Sequence, residues 1–455
     1  MSEENVENPE FTLRSRAFAT VLVLAAVVGV VASVAAWCFL ELIFYMQQWV
    51  FTDIPKDLGF DHGPPLWWYL PVLAFAGLVA AFAIARLPGN GGHVPAEGLA
   101  ASPTQPIDLP GVLLAAVASI GLGLVVGPEA PLIALGGGLG FLTLRSIRRD
   151  APPQLGMLLA SSGTFAAVSF LFGSPIIAAV ILIEAAGLGG SRMPLVLIPG
   201  LLAAGIGSLV SIGMGSLTGL STSDISLSPL NLPAFARPDL VDFLWTIPFA
   251  AVIAVVTFLI FRLGREAQRI ATPRPFVFLP AAGLLVAGLA IAFTKSTDHG
   301  ANQVLFSGQS AIGPLVADPG AWSLSALALL VAFKGLAYGV SVGTFRGGPT
   351  FPAMFLGAAG GLMAAQLPGF ELTPAVAVGL GAAVVAVLRL PLSAVVLATL
   401  FTVHTGLGSG PLVIVGVVVA YLTVQTLDGR ASSGQSRAGG TGATGRSEPA
   451  AMPSG

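Results

Sequence analysis

The chain has 455 residues, of which 55% are hydrophobic and only 9% are Asp, Glu, Lys or Arg, and its net charge is −2. Because roughly a quarter of the residues in a soluble domain are charged, this composition excludes a soluble multidomain protein and indicates one embedded in a lipid bilayer. The lack of a basic surface excludes nucleic acid as a partner. The single cysteine, Cys38, excludes an intramolecular disulfide framework and a cysteine metal cluster.

The apolar segments differ in length along the chain. Residues 1–16 are polar without the pattern of a signal peptide, and we expect a cytoplasmic segment there. Segments long enough to cross a bilayer, at about 20 residues each, lie at 17–40, 67–85, 193–212, 243–261, 275–294 and 411–427. Shorter segments, which predict half-helices and tilted helices, lie at 110–126, 131–144, 155–172, 175–183, 352–366 and 391–405. Residues 428–455 predict a disordered cytoplasmic tail.

Helix-breaking residues are frequent, with 57 glycines and 34 prolines. Interrupted backbone is tolerated in a bilayer only where it is buried in protein or lines a water-filled path. The composition therefore predicts an all-α, multi-pass membrane protein made of tilted and broken helices, and it favours transport.

Arginines and aspartates occupy different connecting segments. Arginines are concentrated at Arg86, in the clusters 145–149 and 262–274, and in the tail, whereas the loops of the opposite face carry mainly aspartates. The positive-inside rule then predicts that the arginine-bearing loops and both termini are cytoplasmic, in a protein of the plasma membrane.

An internal repeat is the most informative feature. Residues 127–140 and 348–361 share the pattern GPxxPxxxLGxxxG at an offset of 221 residues, and segments beginning at Pro175 and Pro391 follow in the same order at an offset of 216. The repeat predicts two halves, 17–220 and 221–427, with a transport site at their interface. The sequence leaves open whether the halves are inverted or parallel.

The repeated motif has a physical interpretation as a pair of helix starts. Proline suits the first turn of a helix, and the residues that follow present free amide N–H groups at the positive end of the helix dipole. Two such starts that converge would bind an anion without a full positive charge. The alternative is a pair of packing motifs for close helix contact.

Glu129 lies inside the first copy of the motif, where the second copy has Thr350. A carboxylate within the membrane is costly unless it is used or paired, so function is its default interpretation. Because a carboxylate competes with an anion for the same helix start, Glu129 is predicted to be a gate. The alternative is a structural salt bridge with Lys334 or Arg346.

Two further segments carry polar groups. Glu184 lies at the end of the apolar segment that begins at Pro175, and it is either part of an ion path or a cap of a neighbouring helix. The glycine-rich loop 87–98, with Asn90 and Gly91, either lines the inner mouth of a path or is an ordinary turn. No metal-ligand spacing, nucleophile elbow or phosphate loop occurs, so neither a cofactor nor an enzyme is expected.

Taken together, these motifs resemble the CLC family of chloride channels and chloride/proton antiporters. The family's G(K/R)EGPxxxxG motif is similar to residues 127–136, its GxFxP segment to residues 348–352, its AxFxAPLxGxLFxxE helix to residues 165–184, and its (I/V)RxPL segment to residues 388–392. The resemblance runs from about residue 17 to residue 427, in the family's order.

The resemblance implies an inverted-repeat bundle and a homodimer with one pore per subunit. It implies that Glu129 is the gating glutamate, that the amides of Ala130, Thr350 and Phe351 bind the anion, and that the helices after Pro175 and Pro391 form the dimer interface. Gly127 belongs to the first motif, and Asn90 and Gly91 match the family's inner-gate loop only loosely; we include all three among the predicted anion-binding residues.

The sequence departs from the family at several points. Pro128 and Pro349 replace residues with amide N–H groups, and the helix with the family's pore tyrosine has no counterpart after residue 427, for which Tyr421 is a poor match. Antiporters usually carry a second glutamate where Ala185 follows Glu184.

These departures favour an anion channel or transporter that is passive or weakly coupled to protons. The alternatives are a stoichiometric chloride/proton or fluoride/proton exchanger and, from another class, a cation-coupled transporter of an organic solute.

Overall fold

The computed structural model describes residues 16–98, 104–187, 193–218 and 229–440. These residues form an all-α bundle without β-strands, as the sequence predicts, and short 3₁₀ and π turns connect the helices. The helices are α1 Arg16–Gln48, α2 Ile54–Asp57, α3 Tyr69–Arg86, α4 Leu109–Gly121, α5 Glu129–Ile147, α6 Pro153–Phe172, α7 Pro175–Ala185, α8 Met193–Thr218, α9 Leu240–Ala271, α10 Pro275–Ser296, α11 Gln309–Ala317, α12 Leu324–Thr344, α13 Thr350–Ala364, α14 Leu372–Leu388, α15 Pro391–Phe401 and α16 Gly410–Gly440.

Nine helical segments among the described residues are long and apolar enough to cross a membrane. Three of them differ from the sequence prediction. α5 and α6, expected to be half-helices, have 19 and 20 residues and reach spanning length. α12 was not predicted as a span because Lys334 interrupts its apolar run, and in the fold this lysine is fully buried in protein rather than exposed to lipid.

The end of the chain also differs from the prediction. The expected disordered tail begins at residue 428, but α16 continues to Gly440. Asp428, at the expected boundary, forms an ion pair of 2.8 Å with Arg389, which ties this part of α16 to the end of α14. Residues 441–455, residues 1–15 and the expected boundary between the halves at 220 and 221 lie outside the described residues.

The two halves repeat the same close helix contacts. A side chain at Gly136 in α5 would collide with the backbone at Gly163 in α6, and one at Gly357 in α13 would collide with the backbone at Gly379 in α14. The paired positions are offset by 221 and 216 residues, as in the motifs. The small residues of the motif therefore let α5 pack on α6 and α13 on α14, so helix packing and helix-start chemistry come from one motif.

Two cavities open at opposite ends of the bundle. One, of about 1130 Å³, is bordered by Tyr69 at the start of α3 and Thr294 near the end of α10; it lies among the aspartate-bearing loops, and we call it the acidic-side cavity. The other, of about 810 Å³, is bordered by Ile84 near the end of α3 and Pro275 at the start of α10, beside the arginines; we call it the arginine-side cavity. α10 has 22 residues, and at 1.5 Å per residue it spans roughly 33 Å between them.

α5 and α13 leave their common origin in opposite directions. The last turn of α5 packs through Leu144 against Ala25, in the first part of α1, whose other end borders the acidic-side cavity. Just past α13, the carbonyl of Pro368 accepts a hydrogen bond from Trp245 at the start of α9, whose other end borders the arginine-side cavity. The two halves are therefore inverted, which answers the question that the sequence left open.

Candidate functional site

The two copies of the repeated motif meet directly. The N–H of Gly127 donates to the carbonyl of Gly348 at 2.7 Å, and the N–H of Gly348 donates back to the carbonyl of Gly127, so the two segments form one antiparallel bridge. α5 and α13 begin two residues later, at Glu129 and Thr350. Two helix N-termini, one from each half, therefore start from the same point in the interior of the bundle.

The prolines before these helices occupy the N-cap positions. Pro128 precedes α5 and Pro349 precedes α13, so neither lies within the first helical turn. The amides that remain unpaired within a helix are those of its first turn. Pro131 and Pro352 remove one more donor from each helix, which leaves two amides per helix start: Glu129 and Ala130 on one side, and Thr350 and Phe351 on the other.

The side chain of Glu129 crosses from its own helix to the start of the other. It is 2% exposed, and its Oε1 accepts a hydrogen bond of 2.8 Å from the N–H of Phe351. Its Oε2 is buried and has no hydrogen-bond partner among the described residues. The predicted gate thus lies at one of the predicted anion-binding amides.

The bridge glycines make room for this carboxylate. A side chain at either Gly127 or Gly348 would overlap the Glu129 carboxylate, and atoms of Glu129 are the nearest neighbours at both positions. The first glycine of each motif is therefore required not only for the turn but also because a larger residue would fill the space that the Glu129 side chain occupies.

Neither predicted partner forms a salt bridge with Glu129 in the described part of the chain. Lys334 is fully buried and donates to the backbone carbonyls of Gln303, Val304, Leu305 and Phe306 at 3.0 to 3.3 Å. Its Nζ also lies 4.4 Å from the centre of the Phe355 ring. The hydrogen bonds of Arg346 go to backbone carbonyls and a serine hydroxyl. The salt-bridge alternative for Glu129 is therefore wrong.

Tyr338 is a site residue that sequence reasoning missed. It is fully buried on α12, and its hydroxyl donates a short hydrogen bond to the carbonyl of Pro349, the N-cap residue of α13. Its ring packs edge-on against Phe261. The available signal was its position four residues after Lys334 on an apolar helix, which places both polar groups on one helix face.

The glycine-rich loop borders the arginine-side cavity. Gly89, Asn90, Gly91 and Gly92 all have φ between 50° and 93°, so four successive residues adopt the left-handed conformation that glycine permits. Asn90 borders the cavity, and its carbonyl accepts a hydrogen bond from Nε of Arg346. Gly91 is buried behind it. The loop therefore borders this cavity, which favours the first of the two alternatives that the sequence left open, and its binding role stays a prediction.

Glu184 has the contacts of a helix cap. Its two carboxylate oxygens accept hydrogen bonds from the backbone N–H groups of Leu392 and Ser393, at 2.9 and 2.7 Å, and from the Ser393 hydroxyl. These are the exposed amides at the start of α15. Ala185 is the half-buried last residue of α7. Of the two alternatives for Glu184, the geometry favours the cap over the ion path.

Comparison with known proteins identifies the family. The model of the family described as "Voltage gated chloride channel" matches residues 76–425. The chain is 29% identical over 363 residues to the "Putative ion-transport protein YfeO" of Escherichia coli, and the match covers 77% of this chain and 80% of that protein.

Solved structures share the fold. A slow cyanobacterial Cl⁻/H⁺ antiporter superposes with a TM-score of 0.72 at 21% identity, over 90% of this chain and 94% of that one. A CLC-type fluoride/proton antiporter superposes with a TM-score of 0.65 at 17% identity, over 89% and 95%. With the family match, the inverted halves and the paired helix starts, the chain belongs to the CLC family, the voltage-gated chloride channels and their transporter relatives.

Proposed function

We propose that this protein carries chloride or another small monovalent anion across the plasma membrane, passively or with weak coupling to protons. The anion is held by the backbone amides of Glu129 and Ala130 at the start of α5 and by those of Thr350 and Phe351 at the start of α13. The amide of Gly127, which the sequence predicted as a further ligand, is instead bonded to the carbonyl of Gly348. Glu129 gates the site. The glycine-rich loop with Asn90 and Gly91 forms the mouth on the arginine side, which the positive-inside rule assigns to the cytoplasm together with both termini.

One observation carries the proposal: a carboxylate oxygen of Glu129 accepts the Phe351 N–H at the start of α13. A negatively charged oxygen at a helix N-terminus occupies the position that favours an anion. The carboxylate and a free anion therefore compete for one site. No salt bridge holds the Glu129 carboxylate in the described part of the chain, so no ion pair is broken when it leaves the helix start.

The location of the site supports a transport path. Pro128, next to Glu129, borders the acidic-side cavity, and Arg346, two residues before Gly348, borders the arginine-side cavity. The bridged segments thus separate two water-accessible volumes at opposite ends of the bundle. Protonation removes the negative charge that holds Glu129 at the helix start, so acid is expected to open the path.

Anion flux from proteoliposomes tests the gate. Glu129→Gln is expected to raise chloride flux at neutral pH to the level that wild type reaches in acid and to abolish the pH response. Glu266→Gln, which neutralises an exposed carboxylate paired with Arg269, serves as the matched control and is expected to behave as wild type. Wild-type flux and pH response in Glu129→Gln would overturn the gate assignment.

Stoichiometric exchange of chloride or fluoride for protons is the second candidate. It is favoured by the likeness to solved structures named as Cl⁻/H⁺ and fluoride/proton antiporters and by the buried carboxylate, which can carry a proton. Glu184 is engaged by the amides at the start of α15, and Ala185 follows it where antiporters usually carry a second glutamate; both features favour weak coupling of anion transport to protons. Uphill proton movement driven by a chloride or fluoride gradient would establish exchange. Membership of the CLC family argues against the cation-coupled transporter of an organic solute.

We further propose a homodimer formed through α7 and α15. The two helices lie side by side through the Glu184 cap, and they expose large apolar side chains, with Ile176 61% and Leu392 57% exposed. Tryptophan at both positions is expected to convert the dimer to a monomer in size-exclusion chromatography. Tryptophan at Leu284, an exposed apolar residue of α10, is the control. An unchanged dimer in the double variant would contradict this interface.

A further inference from the structure

Arg346 is a buried cation that the proposed gate does not use. It lies between the end of α12 and the start of α13, and it is 9% exposed. Its residue borders the arginine-side cavity, close to the bridge between Gly127 and Gly348. A guanidinium so deeply buried is costly unless an opposite charge compensates it.

The protein groups around Arg346 do not supply that charge. Nε donates to the carbonyl of Asn90 and Nη1 to that of Phe345, each at 3.3 Å, and no carboxylate among the described residues pairs with it. Glu97 and Asp108 also border the cavity. The Glu97 carboxylate, however, accepts a hydrogen bond of 2.7 Å from Gln268 and acts on Arg346 only through its longer-range charge.

The surrounding fold fixes the position of this guanidinium. The backbone N–H of Arg346 donates to the hydroxyl of Ser119 at the end of α4. The side chain packs against Gly91, where an added Cβ would lie 3.4 Å from its Cγ. The left-handed loop around Gly91 and the α4 terminus therefore hold a positive charge at the inner end of the cavity.

We propose that Arg346 binds a small monovalent anion, a halide, at the inner end of the arginine-side cavity, before the anion reaches the amides at the helix starts. An incoming anion first passes Glu97 and Asp108, which repel it, and the guanidinium offsets that repulsion. This inference rests on the proposed anion transport and adds a side-chain ligand that none of the predicted backbone groups provides.

Chloride flux through proteoliposome patches, with chloride varied on one face at a time, tests this site. Arg346→Gln is expected to raise the half-saturating chloride concentration on the arginine side by about tenfold to a hundredfold, as expected for losing a hydrogen bond to a charged group. The value on the acidic side is expected to stay unchanged, and Arg346→Lys is expected to retain most of the wild-type affinity. Arg269→Gln, an exposed arginine on the same side, is the matched control.

A charge-restoration experiment separates binding from a structural role. Because Cys38 is the only cysteine, Arg346→Cys in a Cys38→Ala background has one thiol. A trimethylammonium methanethiosulfonate is expected to restore chloride affinity on the arginine side, whereas the sulfonate analogue is expected to weaken it further. Equal effects of the two reagents would overturn the proposal, as would unchanged affinity in Arg346→Gln. Absence of flux in wild type would instead overturn the proposed function.

Discussion

Gly348→Ala tests the position of the Glu129 carboxylate, the proposed gate, separately from its charge. Gly348 has no positive φ, so alanine suits its backbone, and the nearest atoms to an added methyl group all belong to Glu129, with its Cβ at 2.9 Å and its carboxylate closer. The methyl group therefore displaces the carboxylate from the Phe351 amide while leaving the carboxylate in the chain. Glu129→Gln does the opposite, because it keeps the side chain and removes the charge.

The size of the effect follows from the contacts that are lost. The bond between the Phe351 N–H and the Glu129 carboxylate is a hydrogen bond to a charged group, worth about 1.5–3 kcal/mol. Since each 1.4 kcal/mol changes an equilibrium about tenfold, the occupancy of the helix start by Glu129 is expected to fall by about 10- to 150-fold relative to the open state. Chloride flux at neutral pH should rise toward the acid level, and its pH response should shrink.

A double-mutant cycle tests whether the methyl group acts through Glu129. Flux and pH response are measured in proteoliposomes for Gly348→Ala, Glu129→Ala and the double variant. If the carboxylate is the affected group, Gly348→Ala has little effect once Glu129 is alanine. Gly288→Ala, at an exposed helical glycine with open space around its Cα, is the control. Wild-type flux and pH response in Gly348→Ala would refute the reasoning.

Three further substitutions separate the groups around the gate. Tyr338→Phe removes the hydroxyl that holds the α13 cap, at a cost of about 1 kcal/mol, and is expected to lower chloride flux without changing the oligomeric state; unchanged flux would contradict this positioning role. Lys334→Met leaves buried carbonyls without their donor and should destabilise the fold by about 1–3 kcal/mol, seen as a lower melting temperature, whereas the exposed Lys295→Met should not. Glu184→Gln weakens the α15 cap by about 0.5–2 kcal/mol and should leave the pH response of flux intact; a lost response would return Glu184 to the ion path.

Much of the fold can be predicted from the sequence because a lipid bilayer permits few kinds of secondary structure. Backbone groups in a bilayer must be paired within helices, so apolar runs predict helices, and the repeated GPxxP motif predicts two helix starts, which the structure has at Glu129 and Thr350. The prediction failed for α12 because a charge count penalises Lys334, and only the tertiary structure reveals the four carbonyls that make its burial tolerable. Such compensation joins residues about 30 positions apart and leaves no local pattern.

The residues of the site were only partly predictable from the sequence. Glu129 was predictable because charged residues are scarce in this chain and because it lies inside the repeated motif. Tyr338 did not stand out, because a tyrosine in an apolar helix is ordinarily a core residue, and its contact with the Pro349 carbonyl depends on how α12 ends beside α13. The choice for Glu184 between cap and path likewise needed the position of α15.

The inverted repeat is consistent with a proposed gate that consists of a single carboxylate. In a parallel repeat the two helices would run in the same direction across the bilayer, whereas in the inverted repeat α5 and α13 run apart from one point, so both N-termini face that point and their positive ends add. The site is then symmetric in its backbone, as the reciprocal Gly127–Gly348 bridge demonstrates, and asymmetric in its side chains, with Glu129 on one helix and Thr350 on the other. A second carboxylate at Thr350 would repel the first at close range, whereas a hydroxyl leaves the start of α13 open for Glu129 or an anion to occupy in turn.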